Sequence, residues 1–95
     1  MTRTDDIRFY QDPDSGLAHC YAVHGVHERE VIELLRRPGQ RMRNQDDTLV
    51  AEGQTYAGRY LRVIHREYAN YIFVITAYDM SAKAKQAYRR RHRRK

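Results

Sequence analysis

Tyr71-Ile72-Phe73-Val74-Ile75-Thr76-Ala77-Tyr78 is apolar, β-branched or aromatic at almost every position. A run of this length without polar alternation belongs to a strand covered on both faces, and it predicts the central strand of a sheet. Just upstream, Tyr60 to Arg66 does alternate: Leu61, Val63 and His65 share one side, while Tyr60, Arg62 and Ile64 share the other. The connection Glu67-Tyr68-Ala69-Asn70 is short enough to make the two strands antiparallel neighbours.

Further upstream the period of two continues. Arg41-Met42-Arg43 and Leu49-Val50-Ala51 flank the turn-like Asn44-Gln45-Asp46-Asp47, which predicts a hairpin. Gly53-Gln54-Thr55-Tyr56-Ala57-Gly58-Arg59 leads into a strand rather than a helix. It is therefore no phosphate-binding loop but a turn or bulge that aims Arg59 and Tyr60 across the sheet.

The N-terminal half has a different rhythm. Ile7-Arg8-Phe9-Tyr10 is a short edge strand closed by Asp12-Pro13-Asp14-Ser15-Gly16. Leu17, Cys20, Tyr21 and His24 then fall on one helical face, predicting a helix from about Asp14 to His24 with Gly25 as its left-handed cap. Val26 to Arg37 predicts a second helix, with Glu28 and Glu30 in its first turn, Arg36 and Arg37 in its last, and Pro38-Gly39 after it. A third helix begins near Ser81 and runs into the arginines. The predicted class is α+β: a short strand, two N-terminal helices, an antiparallel sheet of about four strands, and a basic C-terminal helix.

Ninety-five residues, 41% hydrophobic and with a mean hydropathy of -0.90, suit one small domain and exclude a multi-domain enzyme. The longest unbroken apolar stretch, Tyr71 to Ile75, falls far short of the ~20 residues of a membrane-spanning helix. Met1 to Asp6 has no apolar core of a secretory signal, and the single Cys20 has no internal disulfide partner, so a reducing cytoplasm is the expected compartment. Charge divides the chain into a body, residues 1–82, and a basic helix or tail, residues 83–95. The latter holds eight of the 18 basic residues (Lys83, Lys85, Arg89, Arg90, Arg91, Arg93, Arg94 and Lys95) and no acid, which leaves a near-neutral body. Such a block favours a polyanion by counterion release, whether RNA, DNA or an acidic protein, and it is also the composition of a solubilising tail.

Several short motifs resemble the BrnT toxins of type II toxin-antitoxin systems, within the RelE ribonuclease superfamily. Asp12-Pro13 falls where that family has an Asp-Pro pair, and His24-Gly25-Val26 matches the end of its Lys-His-Gly-Val signature. Leu61-Arg62-Val63-Ile64 matches its first hydrophobic strand, Ile75-Thr76-Ala77-Tyr78 stands at its Ile-Ser-Ala-Arg, and Ser81 with Lys85 to Tyr88 falls at its last helix. The resemblance spans about residues 7 to 90. Val23 and Tyr78 replace a lysine and an arginine of the family pattern. The resemblance implies a RelE/BrnT-like fold, RNA as target, free or on the ribosome, and a cognate antitoxin.

Metal-independent RNA cleavage needs a base for the 2'-hydroxyl, an acid for the leaving 5'-oxygen, and cations for the phosphorane. The strand pair offers Arg62 as cation, His65 as base and Tyr78 as acid or stacking ring; Arg59, Tyr60, Lys83, Lys85, Tyr88 and the arginines from Arg89 onward are the nucleic-acid-binding candidates. Each has a plainer reading: His65 as a partly buried core histidine, Tyr78 as a rim aromatic, Arg59 and Arg62 as exposed strand residues. Cys20 and His24, four apart, invite zinc, but a structural site needs four ligands, so no metal or other cofactor is expected. The candidate function is a toxin-like RNA-directed protein and metal-independent endoribonuclease. The alternative is a non-catalytic module that binds nucleic acid or protein through a tyrosine-rich sheet and the basic tail. Because the alanines of the last helix offer little apolar cover, an antitoxin or a second copy of the chain is expected near Tyr60 and Tyr78.

Overall fold

Residues 6–92, which the computed structural model describes, form β1 (Ile7–Phe9), α1 (His19–His24), α2 (Glu28–Arg36), β2 (Gln40–Arg43), β3 (Leu49–Gln54), β4 (Tyr60–Glu67), β5 (Ile72–Asp79) and α3 (Ala82–Arg91). The strands make one mixed sheet in the order β1-β5-β4-β3-β2. This is an α+β fold, with β5 interior as its apolar run predicts. The expected four-stranded antiparallel sheet needs correction: there are five strands, and β1 pairs with β5 in parallel, Ile7 opposite Ile72 and Phe9 opposite Val74. An interior β5 needs a neighbour on the edge away from β4, and the N-terminal strand supplies it. The hairpins β2–β3 and β4–β5 stand as predicted, with a bulge between β4 and β5 at Ile64/His65. Among the described residues, no helix is long and apolar enough to cross a membrane.

The first helix is shorter than its periodicity predicts. The Asp12 carboxylate accepts from the Ser15 amide and hydroxyl, the Ser15 hydroxyl accepts from the Leu17 amide, and Gln11 bridges to Ala18. Gly16 takes a left-handed φ of 75°, which breaks the helical path, and these local bonds hold residues 13 to 18 as a loop. The expected apolar face dissolves with it: Cys20 is buried, whereas Leu17 and Tyr21 remain 49% and 43% exposed. After Gly25, whose φ of 68° closes α1, Val26 sinks into the core and α2 begins only at Glu28. The Glu30 carboxylate accepts from the His27 amide to hold that start.

Helices pack on both faces of the sheet, α1 and α2 broadly on one and α3 locally on the other. Under α1 and α2 lie Ala51, Leu61, Val63, Val74 and Ala77, packed with Cys20, Val26, Val31 and Leu34. On the opposite face α3 docks through Tyr88, and its N-terminus is capped by the Ser81 hydroxyl accepting from the Ala84 amide at 3.0 Å. A Cβ at Gly39 would land on the Tyr88 ring, so glycine here is a requirement of space. The last helix begins where Ser81 predicts, and residues 83 to 91 of the basic segment lie within it.

Candidate nucleic-acid interface

Strand register alone lines up four polar side chains on the α3 face. Gln40 opposes Glu52, Glu52 opposes Arg62, and Arg62 opposes Tyr78. Glu52 is only 2% exposed, a cost for a carboxylate unless it is fully bonded. It accepts from Arg62 Nε at 2.7 Å and Gln40 Nε2 at 2.6 Å, and the Arg91 guanidinium lies 3.9 Å away. Arg91 also donates to Gln40 at 3.2 Å, tying the end of α3 to the edge of the sheet. For Arg62, burial is the largest influence and opposes its charge. Hydrogen bonds with Glu52 and Tyr78 outweigh it and leave the pKa raised.

Tyr78 therefore stands with Arg62 on one side. On its other side stands His24, at the C-terminal end of α1, with ring centroids 5.6 Å apart. Arg62 and Tyr78, paired in the sequence reading, do come together, and His24 joins them. His65 does not. It sits on the opposite, helix-covered face, 1% exposed and opposite Val74, so the sheet separates it from Arg62 and Tyr78.

Arg59 is a clamp. Its Nε and Nη2 donate to the two Asp79 oxygens at 2.7 and 2.9 Å, and Nη1 donates to Glu30 and to the Gly25 carbonyl. Every guanidinium nitrogen is engaged within the protein, which fixes the C-terminus of α1, the start of α2 and the end of β5 together. The same guanidinium holds the Asp79 carboxyl below its ordinary range, with Lys85 and His24 adding to the effect.

The remaining candidates lie on or under α3. Tyr60 meets Tyr88 edge-on at 5.9 Å, with the Lys85 ammonium 5.5 Å from its ring. Tyr88 is 8% exposed and stacks on His92, so its ring serves the docking of α3 rather than its surface. Lys83, Arg89 and Arg90 are exposed, and Lys85, Arg89 and Arg90 line an open depression of about 650 Å³ with Ala82 and Gln86. Arg93, Arg94 and Lys95 lie outside the described residues. Among the described residues no three His, Cys, Asp or Glu side chains gather as a metal site, and Cys20 is buried, with burial pushing its thiol pKa up.

Sequence reasoning passed over Glu52. An acid between Ala51 and Gly53 in a strand that pairs with Arg62 was the available signal. No family model matches the chain, and no curated protein matches it either.

Proposed function

We propose that this protein is an RNA-directed, toxin-like protein of the BrnT/RelE kind, with a metal-independent cleavage site formed by His24, Tyr78 and Arg62. The observation that carries this reading is their meeting at the end of β5, where the basic helix begins. In this reading the exposed His24 takes the 2'-hydroxyl proton. The 2'-oxygen then attacks phosphorus, the bond to the 5'-oxygen breaks, and the Tyr78 hydroxyl protonates the leaving oxygen. The products are a 2',3'-cyclic phosphate and a free 5'-hydroxyl. Arg62 holds the developing negative charge while the exposed cations of α3 carry the flanking phosphates. A cognate antitoxin, or a second copy of the chain, covers this region when the site is silent. The protein works in the cytoplasm.

The test is incubation of purified protein with RNA in a chelator. Cyclic phosphate ends should form, and His24→Ala, Tyr78→Phe and Arg62→Ala should each slow the reaction more than ~10-fold, since acid and base groups contribute about 10²–10⁴-fold. RNA affinity should change much less. One observation favours a second reading, in which the protein binds RNA without cutting it: Glu52 already neutralises Arg62. Binding with no cleavage of naked or ribosome-bound RNA would decide for it.

A further inference from the structure

Tyr10 and His19 lie outside the proposed cleavage trio, yet they continue it as a line of rings. The His19 amide donates to the Tyr10 carbonyl at 2.8 Å, and the Gln11–Ala18 bridge closes the loop between them. Their rings consequently stand 5.7 Å apart. Across the short α1, His19 meets His24 at 5.8 Å, and His24 meets Tyr78 at 5.6 Å. The line runs along the edge of β5 that is left without a strand where β1 ends at Phe9. Tyr10 is 45% exposed, His24 is exposed, and His19 and Tyr78 are half-buried. Rings that served only the core would be covered; these four keep surface open to a ligand.

The far end of the line meets positive charge. Arg62 lies opposite Tyr78 across the β4–β5 pair, α3 starts at Ala82 just after β5, and its Lys85 ammonium stands 5.5 Å from the ring of Tyr60 on β4. From Lys85 the depression on α3 continues to Arg89 and Arg90. Aromatic faces followed by cations are what an unpaired nucleic-acid strand recognises: bases stack on the rings and phosphates follow the charges. A duplex keeps its base faces stacked within itself and has none to offer.

We propose that Tyr10 and His19 form a base-stacking subsite beside the His24–Tyr78 end, which selects single-stranded RNA over duplex RNA. The inference rests on the RNA-directed reading above and adds the strandedness of the target. Stacking requires no particular base, so the subsite discriminates structure rather than sequence.

The experiment compares a twelve-nucleotide unstructured RNA with its duplex, by fluorescence anisotropy across a salt series, using the full chain. Single strand should bind the more tightly. Tyr10→Ala and His19→Ala should each weaken it about tenfold, with an unchanged salt slope, and Tyr10→Phe should retain affinity. Lys85→Gln, Arg89→Gln and Arg90→Gln should instead flatten the slope by about 0.7 each, because they remove phosphate contacts. In the wild-type protein, a 2-aminopurine base in the strand should be quenched on binding. Equal affinity for both RNAs, or absence of quenching with single-strand binding intact, would overturn the subsite and leave the RNA reading standing. Binding of neither RNA would overturn the RNA-directed reading itself, and the subsite with it.

Discussion

Under α1 and α2 the sheet presents Ala51, Leu61, Val63, Val74 and Ala77, all buried among aliphatic side chains; under α3 it presents Glu52, Arg62 and Tyr60. Alternation along the same strands produces both sets. The first face removes apolar area from water and supplies the folding free energy. The second buries a carboxylate and must satisfy it with Gln40 and Arg62, a scheme that contributes little net stability. Such a network fixes geometry instead: it sets where α3 ends and which way Arg62 points beside Tyr78. The candidate site lies at the boundary of these faces, where Arg59 ties α1, α2 and β5 together.

If stability resides on the apolar face, Leu61→Ala should have the largest effect of any single change there. Leu61 has no exposed surface, and emptying its volume should cost about 2–5 kcal/mol, read from denaturant unfolding. For a small domain that is a large share of the total. A cost under about 1 kcal/mol would mean that the α1/α2 side is not the principal core.

The α3 face should respond more locally. Gly39→Ala drives a methyl group into the Tyr88 ring, the buried anchor of α3, and should cost about 1–3 kcal/mol of overpacking. The loss should appear as faster amide exchange in α3 before the sheet is affected. In a Tyr88→Leu background the same substitution should cost much less, because the clash has gone. Equal cost in both backgrounds would locate the strain elsewhere.

Glu52→Gln probes the polar network and the site together. It keeps the shape but removes the charge that binds Arg62, so stability should fall modestly, by about 1–3 kcal/mol. The released guanidinium becomes available to phosphate. Affinity for single-stranded RNA should therefore rise, and the salt slope should steepen by about 0.7. Unchanged binding would show that Arg62 faces no phosphate.

How much of this was legible in the sequence follows from how local each determinant is. The β4–β5 hairpin rests on an apolar run and a short connection, and the α3 cap rests on Ser81 and its near neighbour Ala84; both can be read without the fold. The parallel pairing of β1 cannot, because its partner lies at the opposite end of the chain. Periodicity overextended α1, since spacing does not reveal that Asp12 and Ser15 will bond the loop backbone. Arg62 and Tyr78 were readable from strand register. The ring line Tyr10, His19, His24 and Tyr78 was not, because α1 has to pack along β5 before those residues meet.

The smallest expected effect separates the two faces by pH. His65 lies in the apolar face with its Nδ1 unpartnered and its Nε2 3.5 Å from a Glu67 oxygen. Burial depresses its pKa below the ordinary 6.5, and although the nearby Glu67 pulls the other way, the net direction is down. The folded protein therefore holds a neutral imidazole that the unfolded chain protonates more readily. Stability falls wherever the unfolded state binds the extra proton, so it is full above the unfolded value and declines as the pH drops toward the folded one. Melting temperature should fall between about pH 7 and pH 5, and His65→Leu, which removes the proton site, should flatten that segment. Asp79 shows the same sign in a more acidic window, because Arg59 depresses a carboxylate whose ordinary value is 3.8. His65→Leu should leave RNA affinity at neutral pH unchanged, since the sheet lies between this residue and Tyr78. A variant that loses RNA affinity while remaining folded would place His65 in contact with the site, and the division between a stabilising face and a binding face would no longer hold.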